Sequence, residues 1–335
     1  MHRSLEPVGA LPQQAQRVDT NAPLVADELA IDVQYLNIDA ASWTQIRNEC
    51  DGDADAMRAR VLDIVRTRGK MHNLVTGSGG MLVGIVSELG AQRHEPALGT
   101  RIATLVSLSL TPLVIDEILE LDPASEKVRV RGRAILFGSG IYEAVPEDLS
   151  DEVTLGVLDV AGAPAWAARL VKPGMRVVVI GAGGKSGMLV SAQARRNVGG
   201  QGDVVGLCYP ESTAGAAQDA GAQTIVVDCT DPVASSEAVI GALDGRLADI
   251  VFVCTNVPGC EGAAILSCED DGHIVFFSMA TSFTSAALVA EGLGKYPNMT
   301  IGNGYVPGHA RLALDLVRDE PALLKRFVGN EGESP

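Results

Sequence analysis

One segment of the chain has the residue types and spacing to hold phosphate. Val177-Val178-Val179-Ile180-Gly181-Ala182-Gly183-Gly184-Lys185-Ser186-Gly187-Met188-Leu189 reads as a strand, a glycine turn and a helix start. Gly181 suits the tight turn. Gly183 or Gly184 lets the backbone approach a pyrophosphate, and Gly187 permits close helix–strand packing. The phosphates then meet free N–H groups where Lys185 and Ser186 open the helix. Ser186 takes the third-glycine position of the commonest spacing. From Gly181, Gly184 and Gly187 the pattern is Gly-x-x-Gly-x-x-Gly. Gly184-Lys185-Ser186 is not an ATPase phosphate loop, because the glycine required five residues earlier is Val179, inside the strand. Gly77-Ser78-Gly79-Gly80 precedes an alternating strand, not a helix, and is no dinucleotide loop.

A dinucleotide on this loop needs further contacts beyond the carboxyl ends of the strands. The second strand ends in Leu207-Cys208-Tyr209-Pro210-Glu211-Ser212-Thr213. An acid there favours NAD, whereas basic or hydroxyl residues admit a 2′-phosphate. Tyr209 is a cofactor-binding candidate, Glu211 is placed to reach the ribose, and Ser212 and Thr213 to reach a phosphate, so NAD and NADP both stay open. Thr255-Asn256 after the fourth strand and Ser278-Met279 after the fifth are expected to flank the nicotinamide and its ribose.

The elements that position these residues begin at 151. A helical stretch over 153–170 precedes Val177-Val178-Val179-Ile180. Val204–Leu207, Ile225–Val227, Ile250–Val253 and Ile274–Phe277 follow as continuous apolar runs with helical intervals between them. Such runs are strands buried on both faces of a parallel sheet. A short strand at Met299–Ile301 and a helix over 307–327 close the chain. Residues 1–150 differ. Ile31–Leu36, Met81–Val86 and Lys127–Arg131 alternate as half-buried strands. A helix is expected over 53–68, where Met57, Val61, Leu62, Ile64 and Val65 recur and Gly69 stops it. The fold class expected is α/β: a Rossmann doubly wound parallel sheet over 151–305, a β-rich unit over 1–150, and a C-terminal segment, 306–335, returning to the first unit. A frayed tail is expected over 329–335.

Composition fits this reading. The 335 residues are long enough for two domains. Hydrophobic residues are 47% and aromatics only 4%, which suits helices packed closely on a sheet through small side chains. The formal net charge of −16 repels nucleic acid and anionic membranes and favours a cationic small-molecule substrate. No apolar leader follows Met1, and no run is long enough to span a bilayer. The six cysteines form no Cys-x-x-Cys pair and read as reduced, buried thiols of a cytoplasmic protein.

Further strings carry a resemblance. Ala161–Trp166, Leu170–Met175 and the glycine loop, preceded by Tyr142–Leu149, resemble the domain junction of the medium-chain dehydrogenase/reductase superfamily. That resemblance implies a GroES-like catalytic domain before the Rossmann domain. Where zinc-dependent members carry Gly-His-Glu, this chain has Val75-Thr76-Gly77-Ser78-Gly79-Gly80-Met81, and the structural-zinc cysteine cluster is also missing. Zinc needs three or four convergent ligands, so no metal is expected. Arg17-Val18-Asp19, Leu36–Asp39, Arg68–Asn73, Val75–Met81 and Ser109–Leu113 are similar to the L-erythro-3,5-diaminohexanoate dehydrogenase family. The resemblance implies oxidative deamination at C3 to 5-amino-3-oxohexanoate, a step of lysine fermentation, with NAD or NADP as hydride acceptor.

That chemistry sets requirements. Hydride leaves only a carbon that bears a neutral amine, so the site needs a base, and charged partners for the other ammonium and the carboxylate. Asp39, His72 and Glu143 are the candidate catalytic residues. Each has a plainer reading: a helix cap at Ala40, a surface loop histidine and an exposed strand position. Asn73, Thr76 and Ser78 are candidates for binding substrate or positioning water, or for ordinary turn chemistry. Arg68 and Lys70 could hold the carboxylate or stand in solvent. A zinc-free quinone or enoyl-thioester reductase, and a nucleotide-sensing protein without activity, are the competing readings on the same scaffold. A homodimer or homotetramer is expected.

Overall fold

The computed structural model describes residues 3–328 and divides after Asp151 into two compact units. The expected frayed tail over 329–335 lies outside the described residues.

The first unit opens with a two-stranded ribbon, β1 (Ser4–Glu6) and β2 (Arg17–Val18). Its main sheet has six strands: β3 (Leu29–Asn37), β4 (Met81–Leu89), β5 (Arg101–Thr104), β6 (Leu113–Leu121), β7 (Lys127–Leu136) and β8 (Tyr142–Ala144). They pair antiparallel in the order β6-β7-β3-β4-β5-β8. Helices α1 (Ala40–Glu49) and α2 (Ala54–Arg68) connect β3 to β4. Trp43 and Ile46 of α1 and Met57, Val61 and Val65 of α2 join Leu36, Leu82 and Ile102 of the sheet in one buried core. Asp53 caps α2 by accepting from Ala56 N at 2.7 Å. Gly69 ends it in the left-handed region at φ 68°, as its place in the sequence implied.

The second unit alternates helix and strand: α3 (Asp151–Leu158), α4 (Gly162–Leu170), β9 (Arg176–Ile180), α5 (Lys185–Val198), β10 (Asp203–Cys208), α6 (Ala214–Asp219), β11 (Gln223–Val226), α7 (Pro232–Ala242), β12 (Ala248–Val253), α8 (Glu261–Ser267), β13 (Cys268–Phe276), α9 (Phe283–Leu293), β14 (Asn298–Ile301), α10 (His309–Asp319) and α11 (Pro321–Val328). The six strands are parallel in the order β11-β10-β9-β12-β13-β14, the doubly wound arrangement with β9 at the crossover point. Val177, Val179, Ile250, Phe252 and Val275 pack on one face, and Val178, Ile180, Val251, Val253 and Ile274 on the other. This two-sided burial is why the strand sequences are continuously apolar.

Two expectations are corrected. The single helix over 153–170 is two, because Pro164 has no N–H to give to the Val160 carbonyl and fits only the first turn of a new helix. The helix over 307–327 is likewise two. Glu320, before Pro321, leaves the helical region at φ −115°, ψ 88°. Within the second unit α10 packs on α4 and α5, and α11 on α6 and α5.

All six cysteines are unpaired thiols. Burial pushes Cys229, Cys254 and Cys268 up to about 12, so these thiols are poor nucleophiles. Among the described residues no helix is long and apolar enough to cross a membrane.

Candidate functional site

In the second unit, Leu207, Ile180, Val253, Phe276 and Ile301 stand in one row across β10, β9, β12, β13 and β14. The chain leaves the sheet just beyond that row, on its carboxyl edge. Gly181, Tyr209, Thr255-Asn256 and Ser278-Met279 therefore line a single edge, where ligands of such sheets bind.

The glycine bend is built by contacts a side chain would break. Gly181 turns at φ 78°, and a Cβ there would stand 2.8 Å from Thr255 N. A Cβ on Gly183 would meet the Thr213 carbonyl oxygen at 2.3 Å, and one on Gly187 the Gly181 oxygen at 2.2 Å. Gly184 differs. It is the N-cap of α5, exposed, and a Cβ there would find nothing closer than 3.7 Å. It supplies no side-chain cap to the first turn of α5, whose positive dipole end faces the space above Gly184. Such a bend has room for a pyrophosphate against its backbone.

The neighbours suit the rest of a dinucleotide. Tyr209 is 65% exposed at the end of β10, followed by exposed Glu211 and Ser212. Thr213 turns its hydroxyl to the Pro210 oxygen at 2.8 Å, so its main service is as the wall against which Gly183 packs. Thr255 Oγ1 accepts from Val257 N at 3.2 Å and Ser278 Oγ from Ala280 N at 3.1 Å, which fixes both bends. Asn256 and Met279 project outward.

In the first unit, the loop between α2 and β4 packs on the start of α1. Asp39 is the α1 N-cap: its Oδ1 accepts from Ser42 N at 3.0 Å. The plainer reading of Asp39 therefore holds, but for only one oxygen. Oδ2 is buried without a hydrogen-bond partner. Ser42 Oγ lies 2.5 Å from Thr76 Oγ1, which also accepts from Ser78 N at 3.4 Å. Asp39, Thr76 and Ser78 are thus brought together. Ser42, which contributes the link, went unnoticed in the sequence because a buried serine in a helix has no pattern of its own.

Asn73 is corrected. Its amide is used at both ends, Nδ2 donating to Gln45 Oε1 at 2.8 Å and Oδ1 accepting from Val75 N at 3.0 Å. It is 1% exposed and pins the loop to α1 rather than offering a ligand. Gln45 in turn donates to Glu49 Oε2 at 2.9 Å, which fixes both amide orientations. Lys70 is corrected too. It is wholly buried, and its Nζ donates to Pro12 O at 2.7 Å and Gln13 O at 3.4 Å.

His72 is half-buried, with Nδ1 3.4 Å from Arg68 Nη2. Burial, then the charges of Lys70 and Arg68, lower its pKa to about 4, so the imidazole is neutral at physiological pH. Glu143 stands apart from this cluster. It lies on β8 in a row with Ala103, Val83 and Tyr35, two strands from β4, and it has interactions of its own. Among the described residues no three His, Cys, Asp or Glu side chains converge to hold a metal ion.

A doubly wound parallel sheet with an uncapped helix start at its crossover, preceded by a β-rich antiparallel unit, is the fold of the medium-chain dehydrogenases and reductases. Solved structures agree on the fold. A quinone oxidoreductase from Coxiella burnetii matches with a TM-score of 0.57 at 16% identity, covering 99% of this chain and 95% of that one. The Escherichia coli quinone oxidoreductase, solved with NADPH, matches with a TM-score of 0.53 at 16% identity, over 99% and 86%. Sequence goes further. L-erythro-3,5-diaminohexanoate dehydrogenases of Acetoanaerobium sticklandii and Fusobacterium nucleatum are 46% and 44% identical over 97% of this chain and 96% of theirs. The family model for the L-erythro-3,5-diaminohexanoate dehydrogenase N-terminal domain matches residues 2–146. The chain belongs to the L-erythro-3,5-diaminohexanoate dehydrogenase family.

Proposed function

We propose that this chain oxidatively deaminates L-erythro-3,5-diaminohexanoate at C3, yielding 5-amino-3-oxohexanoate and ammonia, as a step of lysine fermentation. NAD or NADP, resting its pyrophosphate on the amides after Gly184, supplies the hydride acceptor. Thr255, Asn256, Ser278 and Met279 border the nicotinamide half; Tyr209 and Glu211 border the adenosine ribose.

The observation that carries the chemistry is the buried, unpartnered Oδ2 of Asp39. A substrate with two ammonium groups needs a desolvated carboxylate, and this oxygen accepts the proton that must leave the C3 ammonium. Once neutral, the amine nitrogen drives hydride off C3. Water then adds to the iminium carbon and ammonium departs, which closes the balance. Thr76 and Ser78 hold the loop beside that carboxylate, and neutral His72 serves as a hydrogen-bond donor rather than the base. Glu143 is kept as a second acid for the other ammonium.

The homologues at 44–46% identity support this substrate over a quinone or enoyl thioester. We also propose a cytoplasmic homodimer or homotetramer. The test is incubation with L-erythro-3,5-diaminohexanoate and either coenzyme, following absorbance of the reduced nicotinamide. Ammonia release in step with reduction is the expected result. Reduction of a quinone or an enoyl thioester instead, with the diamino acid inert, would replace this reading.

A further inference from the structure

The chain has 42 acidic side chains against 26 lysines and arginines, so a sheltered guanidinium with no carboxylate runs against its composition. Arg68 is such a group. It is the last residue of α2 and half-buried. Its Nη2 reaches only the imidazole of His72, at 3.4 Å, and its Nε is buried with no hydrogen-bond partner. Among the described residues it makes no ion pair. Lys70, two residues on, is itself wholly buried and satisfied by the carbonyls of Pro12 and Gln13. Three basic side chains thus stand within five residues, with no acid to balance them.

An arginine does not shed its proton. A half-buried guanidinium with an unfilled donor therefore costs free energy until an anion arrives. The geometry also fixes what stands beside it. Arg68 has no acceptor, so His72 Nδ1 must accept, and the ring proton sits on Nε2. Of the five N–H groups of Arg68, the Nε–H is buried and unfilled, and it is left for one planar anion. The opposite end of the same loop abuts Asp39: a Cβ on Gly80 would stand 2.8 Å from Asp39 N. The loop therefore runs from a cationic end to an acidic end, which matches a substrate with a carboxylate at C1 and ammonium groups at C3 and C5. The coenzyme phosphates have their own cradle on α5.

We propose that Arg68, with the Nε2–H of His72 beside it, binds the carboxylate of the substrate and selects acids over their uncharged derivatives. The proposal rests on the diamino-acid reading above. The test uses the full-length enzyme with coenzyme, and three variants: Arg68→Met, Arg68→Gln and Arg68→Lys. The substrates are L-erythro-3,5-diaminohexanoate and its C1 carboxamide, with 5-aminohexanoate as a probe that lacks the reacting amine. A charge-assisted pair lost here predicts that Arg68→Met lowers the acid-over-amide ratio of kcat/KM by roughly 10–100-fold, carried mainly in KM. Arg68→Lys recovers part of the ratio, and 5-aminohexanoate binds the methionine variant at least about tenfold more weakly. Coenzyme affinity and melting temperature serve as folding controls, and Arg68→Gln gives the same readout if the methionine variant does not fold. An acid-over-amide ratio that survives both neutral substitutions overturns the proposal. So does an equal loss for acid and amide that lysine does not relieve. If 5-aminohexanoate binds through Arg68 while the diamino acid is not oxidised, the carboxylate site stands and the proposed reaction falls.

Discussion

The Thr76 hydroxyl lies 2.5 Å from the Ser42 hydroxyl, tying the loop between α2 and β4 to the first turn of α1. The bond spans 34 residues and stands beside a second polar tie between loop and helix, from Asn73 Nδ2 to Gln45 Oε1. Ser42 is wholly buried, so removing Thr76 Oγ1 leaves a donor with nothing to replace it. In a double-mutant cycle, Ser42→Ala and Thr76→Val are each expected to cost about 1–2 kcal/mol, with a coupling of about 1 kcal/mol. Urea denaturation measures all four species. Additive losses would mean the two hydroxyls do not support one another.

Gly187 is the tightest point of the phosphate bend. A Cβ there would meet the Gly181 oxygen at 2.2 Å and Ala182 Cα at 2.7 Å, both backbone or next to it, and neither can swing aside. Gly187→Ala is therefore expected to destabilise the second unit by about 1–3 kcal/mol through overpacking, before any effect on coenzyme is considered. Thermal unfolding checks this. An unchanged melting temperature would mean that α5 can move away from the bend.

His72 gives a pH signature. Its pKa falls to about 4 through burial, then through Lys70 and Arg68. The unfolded chain takes up a proton at this residue near pH 6.5, whereas the folded chain does so only near pH 4. The unfolded state thus binds more protons between those values, and stability falls as pH drops through that window. Histidine NMR of the native enzyme should show the His72 ring titrating near pH 4, and Arg68→Met should move that midpoint upward. A midpoint at or above 6.5 would contradict the burial and the cationic surroundings alike.

The legible parts of this protein were those governed by local pattern. The apolar runs of β9, β10, β12 and β13 announce strands covered on both faces, and Asp53 and Gly69 mark the ends of α2. The bend from Gly181 to Gly187 needed only its strand and helix to be read. What stayed hidden is set by distant partners. Lys70 looks like a surface residue until its ammonium is seen on carbonyls 57 and 58 residues earlier. Asn73 looks like a free polar ligand until Gln45 and Val75 take both ends of its amide. The split of α3 from α4 was present in Pro164, but small apolar residues on either side hid it.

The central claim is that a dinucleotide's pyrophosphate lies on the uncapped amides where α5 begins. Gly184 allows a direct measurement, because a Cβ there would touch only the Gly181 oxygen, at an ordinary 3.7 Å, and its backbone, at φ −81°, accepts any residue. Calorimetric titration of NAD and NADP into wild type and Gly184→Val separates folding from binding. The account predicts a melting temperature within a degree or two of wild type and coenzyme affinity reduced by at least about a hundredfold, as the added methyls occupy the pyrophosphate's place. A stable Gly184→Val protein that binds either coenzyme as tightly as wild type would contradict it.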